Sequence, residues 1–195
     1  MGIQTWHEQL MSLDVDGPAL NTFTTAKSIF GATTDAASKA KITVPPGFFV
    51  PGKHLFAKLL GDLSNIVTTP GTVTFQLMVG AVIAWTSGAI NMPTTAHTAL
   101  PFWLEIDVTC QANGAGTLGK LMGQGKIVSQ AVAMTAAADS AALTLNTLLL
   151  PNTTPAQGTG FDTTVSNTID VFAAFSISNA GNQVRVRQYE LSAKN

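Results

Sequence analysis

Charge is what this sequence has least of. Asp, Glu, Lys and Arg make up 11% of its 195 residues, where an average soluble domain carries about 25%. The two signs nearly cancel, with ten basic against eleven acidic residues, and no basic residue lies between Lys126 and Arg185. Without a basic stripe there is no long-range field to draw in nucleic acid, so none is expected as a partner. Cysteine occurs once, at Cys110, which excludes a disulfide within the chain and a cysteine-based metal site. Long apolar runs are missing as well. The longest, Leu77 to Trp85, falls far short of the ~20 residues of a spanning helix, so no membrane partner is expected despite a positive mean hydropathy. The opening Met1-Gly2-Ile3-Gln4-Thr5-Trp6 lacks the charged and apolar regions of a secretory signal. Trp6 stands where a myristoylation signal carries Ser or Thr. A protein made in a cytoplasm is the expectation.

What is present is 46% hydrophobic under a skin of Thr, Ser, Asn, Gln and Gly. A chain of this length buries a sizeable core without staples. Charge-poor surfaces resemble the cores of protein interfaces, so assembly against other subunits is expected.

The hydrophobic period is two along most of the chain, the signature of half-buried strands. Phe102, Leu104, Ile106 and Val108 alternate with Trp103, Glu105, Asp107 and Thr109. Val73, Phe75, Leu77 and Val79 alternate with Thr72, Thr74 and Gln76, and His54 to Val67 places Leu55, Ala57 and Leu59 on one side. Ile169, Val171, Ala173, Phe175 and Ile177 form one face of a strand near the end of the chain. Asn179-Ala180-Gly181-Asn182 supplies turn residues, and Val184 and Val186 continue on the far side. These last two strands read as a hairpin, with a phase shift at Gln188-Tyr189 that marks a bulge or the end of pairing. Further strands are expected at Thr22 to Phe30, at Ile42 to Val50 as an edge or bend broken by Pro45-Pro46, at Val82 to Thr86 after a bulge or kink at Gly80, at Leu121 to Val132, and at Leu143 to Leu150. The segments 33–41, 91–99 and 152–160 read as loops, and Met134 to Ala142 as a helical turn or two. Residues 1–20 carry no clear two-residue period. There Trp6, Leu10 and Leu13 fit either one stripe of a short helix or an extended arm that docks an aromatic anchor. About eight to ten strands with turns at this spacing predict an all-β antiparallel sandwich. Long strands with large loops favour the jelly-roll type. The expected organisation is an N-terminal arm, residues 1–20, and a single β-sandwich domain, residues 21–195.

Chemical motifs fail on their context. Gly114-Ala115-Gly116-Thr117-Leu118-Gly119 matches GxGxxG, but that motif needs a following helix to face a pyrophosphate. Two further glycines and β-branched residues follow instead, which makes a hairpin loop. Lys120 almost completes a phosphate loop, yet Leu121 stands where Ser or Thr should be. His7, His54 and His97 are scattered. Glu105 and Asp107 share a strand face and could serve acid–base chemistry or bind a cation; the simpler reading is a solvated face, salt-bridged to a neighbour such as Lys58. Trp103 lies on that same face, exposed or at a subunit contact. No catalytic, cofactor-binding or metal residue is expected. Trp6, His7 and Leu10 of the arm, with Trp103, are the candidate partner-binding residues.

Several stretches resemble small virion proteins of tailed bacteriophages: Thr5-Trp6-His7-Glu8, Asp16-Gly17-Pro18-Ala19-Leu20, Pro46-Gly47-Phe48-Phe49, Thr69-Pro70-Gly71-Thr72, Trp103-Leu104-Glu105 with Thr109-Cys110, Met122-Gly123-Gln124-Gly125, Phe161-Asp162 and Thr168-Ile169-Asp170. The resemblance spans nearly the whole chain and its motifs are structural. It implies a jelly-roll protein of the virion, made in the host cytoplasm and placed on the phage head as a capsid decoration, or cement, protein. The implied partners are the major capsid protein and further copies of itself, commonly as a homotrimer. Two alternatives stay open: a tail-fibre or baseplate jelly roll that binds host-surface glycans, and a β-sandwich glycan-active enzyme.

Overall fold

The computed structural model describes residues 7–133 and 145–194. In chain order the elements are β1 (His7–Ser12), β2 (Leu20–Asn21), β3 (Lys27–Ser28), a 3-10 helix (Ala36–Ala40), β4 (Ile42–Val44), β5 (His54–Asn65), β6 (Thr72–Val79), β7 (Val82–Thr86), β8 (Ile90–Asn91), β9 (His97–Ala112), β10 (Lys120–Ser129), β11 (Asn146–Leu150), β12 (Asn167–Phe175) and β13 (Gln183–Lys194). They form two antiparallel sheets. The larger runs β1-β13-β5-β9-β10-β11, with β2 also on β13. The smaller runs β3-β12-β6-β7, with β4 on β12 and β8 on β6. The protein is an all-β sandwich.

Alternation builds the core. Leu55, Ala57, Leu59 and Leu63 of β5 and Phe102, Leu104, Ile106 and Val108 of β9 face Val73, Phe75, Leu77 and Val79 of β6 and Ile169, Val171, Ala173 and Phe175 of β12; all are buried. Each large side chain removed from water contributes roughly 1.5–3 kcal/mol. Aromatic pairs lock the sheets together. Phe75 of the small sheet meets Phe102 of the large one at 5.7 Å between ring centroids, and Phe30 meets Tyr189 at 4.7 Å.

The last two long strands do not form the hairpin that their alternation and turn suggested. β12 belongs to the small sheet and β13 to the large one, so the Asn179–Asn182 turn carries the chain across the sandwich. Each strand instead finds long neighbours: β12 pairs with β6, and β13 with β5 and β1. The bulge does occur, between Val186 and Gln188. Arg187 stands there and pairs with Asp62 and Asp16.

Other elements depart from the sequence pattern for similar reasons. Thr22 to Phe30 is no continuous strand, because the segment passes from β2 on the large sheet to β3 on the small sheet and buries Phe23 and Phe30 on the way. Gly80 (φ +60°) sits in the two-residue turn that joins Val79 to Val82; the irregularity lies instead between Leu77 and Met78. The loop expected at 91–99 already contains the start of β9. The Ala-rich stretch from Met134 falls outside the described residues. From His7 onward, the segment expected as an arm lies along β13: β1 pairs with it, Leu13 N–H donates to Tyr189 O at 2.9 Å, and Gly17 N–H donates to Val186 O at 2.9 Å.

Two buried polar clusters hold the crossings. Asn182 is fully buried. Its amide donates to Pro70 O (2.9 Å) and Ile177 O (3.2 Å), and its Oδ1 accepts from Ile66 N–H (3.1 Å). It therefore joins the β5–β6 crossing to the β12–β13 crossing. Asp170 of β12 accepts from Ser28 Oγ (2.9 Å) and lies 3.6 Å from Lys41 Nζ, which also donates to Gly31 O (2.7 Å). Desolvation pushes the Asp170 carboxyl above the usual carboxylate range, against the pull of Ser28 and Lys41.

Truncating the Asn182 amide leaves three backbone groups unpaired. Asn182→Ala is expected to lower stability by roughly 2–4 kcal/mol, read as a shifted midpoint at unchanged slope in urea unfolding. Asp170 holds its proton more tightly when folded than when unfolded. Its contribution is therefore present at low pH and is lost as pH rises from the ordinary carboxylate range through the raised value. Asp170→Asn is expected to flatten the pH dependence of the unfolding free energy in that window; an unchanged slope assigns the titration to another group.

Candidate interaction surface

The outward face of the large sheet holds the residues that sequence reasoning singled out on β9. Register aligns them in rows, because directly opposed residues of neighbouring strands point to the same face. One row runs Glu190, Lys58, Glu105, Lys126 across β13, β5, β9 and β10. The row beside it runs Gln188, Leu60, Trp103, Val128. Trp103 is 40% exposed, large for an indole on a solvated strand.

Trp103 is held from two sides. Its Nε1–H donates to Glu105 Oε1 at 3.0 Å, and Lys58 Nζ lies 4.5 Å from the ring centroid, a cation–π contact. Glu105 Oε2 pairs with Lys126 Nζ at 2.9 Å. The expected Glu105–Lys58 bridge is thus replaced: Lys126 takes the carboxylate and Lys58 caps the indole. These contacts are partly solvated, so each is worth about 1 kcal/mol or less. Their effect is to fix the orientation of a large apolar side chain on an otherwise polar sheet.

Farther along the same face, His54, Asp107 and Thr109 come together. The ingredients of a nucleophile–base–acid relay are there, but not its geometry. His54 Nδ1 lies 3.4 Å from Asp107 Oδ1 and 3.1 Å from Thr109 Oγ1. A relay needs the carboxylate on one ring nitrogen and the hydroxyl on the other, whereas here both approach Nδ1 more closely. Among the described residues, no three of His, Cys, Asp and Glu gather where a metal ion could be held. No helix there is long and apolar enough to cross a membrane. The glycine-rich stretch at 114–119 is the turn between β9 and β10, and β10 follows it directly as a strand.

The other candidate residues lie apart from this cluster. Trp6 is outside the described residues. His7 and Leu10 belong to β1, at the edge of the sheet, three strand spacings or about 14 Å from β9. His7 is exposed, while Leu10 is half-buried against the core. β1 pairs on one side only, with β13, so its other side is open among the described residues. Lys126 and Leu60 were not singled out from sequence. The signal that could have found Lys126 is the β9–β10 turn, whose length puts it opposite Glu105; Leu60 is placed only by the β5–β9 register.

Cys110 ends the inward face of β9. It is buried, its thiol donates to Ala112 O at 3.3 Å, and burial pushes its ionisation above the ordinary thiol range. Thiolate is the reactive form. A colourimetric disulfide reagent at neutral pH is expected to leave native Cys110 unmodified and to titrate it fully after unfolding; prompt reaction of the native protein would show the strand opening locally.

The chain was compared with protein-family models and with curated proteins, and it matches none of either.

Proposed function

We propose that the protein is a structural component of a tailed-phage virion, a capsid decoration protein that binds the head shell as an oligomer and stabilises it. The observation that carries this reading is the outward face of the large sheet. It is broad, and the charges of its row Glu190, Lys58, Glu105 and Lys126 sum to zero. It presents an oriented tryptophan, the kind of residue that anchors protein interfaces. The resemblance of the chain to small jelly-roll virion proteins supports the reading, and so does its scarcity of charge, which suits surfaces that end against other subunits. A shell offers many equivalent sites, so an oligomer that engages several of them is retained even when each contact is weak.

Two surfaces divide the work in this proposal. The face around Trp103 makes contacts among subunits of the decoration layer. The open edge at β1, with His7 on it and Trp6 just before it, meets the major capsid protein. Pairing with an exposed sheet edge supplies main-chain hydrogen bonds, while an aromatic anchor supplies burial.

One observation favours the tail reading as a second possibility. A groove of about 310 Å³ lies between β7 and the segment after β11, lined by Ile83, Trp85, Thr153, Gln157 and Thr159 among others. Among the described residues, the buried Trp85 Nε1–H has no hydrogen-bond partner. Hydroxyls and amides beside an indole suit a sugar ring, so this groove is where a host-surface glycan would sit.

Deletion of residues 2–6 removes Trp6 and keeps β1. The deleted protein is expected to melt as the full chain does and to bind decoration-free heads at least tenfold more weakly by co-sedimentation, the loss of one aromatic hot spot. Full occupancy by the deleted protein would overturn the assignment of this edge to the shell. Failure of the full-length protein to bind heads, with saturable binding to host-surface glycan, would replace decoration by the tail reading.

A further inference from the structure

We infer that the outward face of the large sheet binds a second copy of this chain across a two-fold axis running along the strands. The inference rests on the reading of that face as an assembly surface, and it names the partner there. The argument comes from the order of charges in one row: Glu190, Lys58, Glu105, Lys126. The signs alternate and sum to zero. A two-fold axis in the plane of the interface, parallel to the strands and passing between β5 and β9, reverses this row onto itself. Lys58 then faces Glu105 of the second copy and Glu105 faces its Lys58, while Glu190 faces Lys126 and Lys126 faces Glu190. All four contacts join opposite charges. An axis perpendicular to the strands would set each charge against its own like, which costs energy. The pattern thus selects one symmetry operator, as a self-complementary patch must.

The neighbouring row obeys the same operator. Leu60 and Trp103 lie opposite one another on β5 and β9, so the axis places each Trp103 against Leu60 of the other copy. Two indoles then occupy the centre of the contact with charges beside them, the arrangement of an apolar core and a polar rim. The size is sufficient. Four strands at about 4.8 Å and eight residues at about 3.3 Å per residue outline a face of roughly 500 Å² per copy, or about 1,000 Å² for the pair, the lower bound of a specific interface. This geometry predicts even-numbered assemblies, where the resemblance alone implied a trimer.

The test is reciprocal charge reversal, read as native mass by light scattering. The wild-type protein is expected at twice the 20.3 kDa of one chain. Lys58→Glu and Glu105→Lys, each alone, set like charges together twice across the axis and are expected to weaken self-association by about tenfold or more. Mixed one to one, they form a heterodimer in which the carboxylate introduced in one variant faces the ammonium introduced in the other. The unaltered Glu105 of the first variant then faces the unaltered Lys58 of the second, and the mass of two chains returns. Should either variant fail to fold, Lys126→Glu and Glu190→Lys carry the same reciprocal test. A wild-type monomer or trimer, or a mixture that stays at one chain, overturns the inference. Head binding is scored separately: a monomer that saturates heads overturns only the two-fold contact, and a dimer that binds no head overturns only the decoration role.

Discussion

Every sandwich must move its chain between sheets, and each crossing leaves backbone groups without a ladder partner. Here one side chain answers for two crossings. Asn182 has an acceptor and two donors in a single planar group, which matches one N–H from the β5–β6 connection and one carbonyl from each connection. An unpaired backbone group in a dry interior costs about as much as a hydrogen bond gains, so the two connections are held where the amide can serve both. Asn65 repeats the device beside it, donating to Pro93 O and Thr95 O at 2.7 Å each. Asn167 does the same for the turn before β12, through Asp162 O and Val165 O. The apolar core drives the sheets together, and these asparagines decide where the chain crosses.

What could be read in the sequence was whatever repeats along a strand. The alternations of β5, β6 and β9 survive because each strand pairs with at least one long neighbour and one of its faces is dry. Turn chemistry was legible too at 113–119, a tight connection between two long strands. Pairing was not. The stretch Asn179–Asn182 is a turn, as its residues demand, but nothing local says whether a turn joins neighbours in one sheet or steps to the other. That choice is made by Phe75 against Phe102 and by the contacts of Asn182 with Ile66 and Pro70, all distant in sequence. Thr22 to Phe30 misled for the same reason: aromatic and Thr-rich residues suit a strand, yet Phe23 and Phe30 are spent filling the core from a segment that changes sheets.

The candidate surface was half legible. Trp103 could be placed on the polar side of β9 by counting residues in twos. Lys58 was readable as a neighbour of Glu105, but its place over the indole, and the pairing of Lys126 with Glu105, come only through the registers of β5 and β10. A one-residue slip in either register would send these lysines to the core, where an unpaired ammonium is far too costly. Burial of Leu59 and Ile127 therefore fixes the chemistry of the opposite face. The two sides of the large sheet are one specification, written in alternate residues.

The pairing of β1 with β13 has a temporal consequence. Met11 lies against Leu191, so β1 waits during synthesis for a strand made long after it. Such a contact spans nearly the whole chain and closes slowly, since loop entropy must be met before pairing gains anything. Until β13 has emerged from the ribosome, neither β1 nor the near edge of β5 has its partner. A prematurely ended chain would build much of the small-sheet β6–β7 unit and the β5–β9–β10 ladder, yet never complete the edge on which β1 sits. Completion of that edge therefore waits for β13: a chain that stops short of it leaves β1 without its partner.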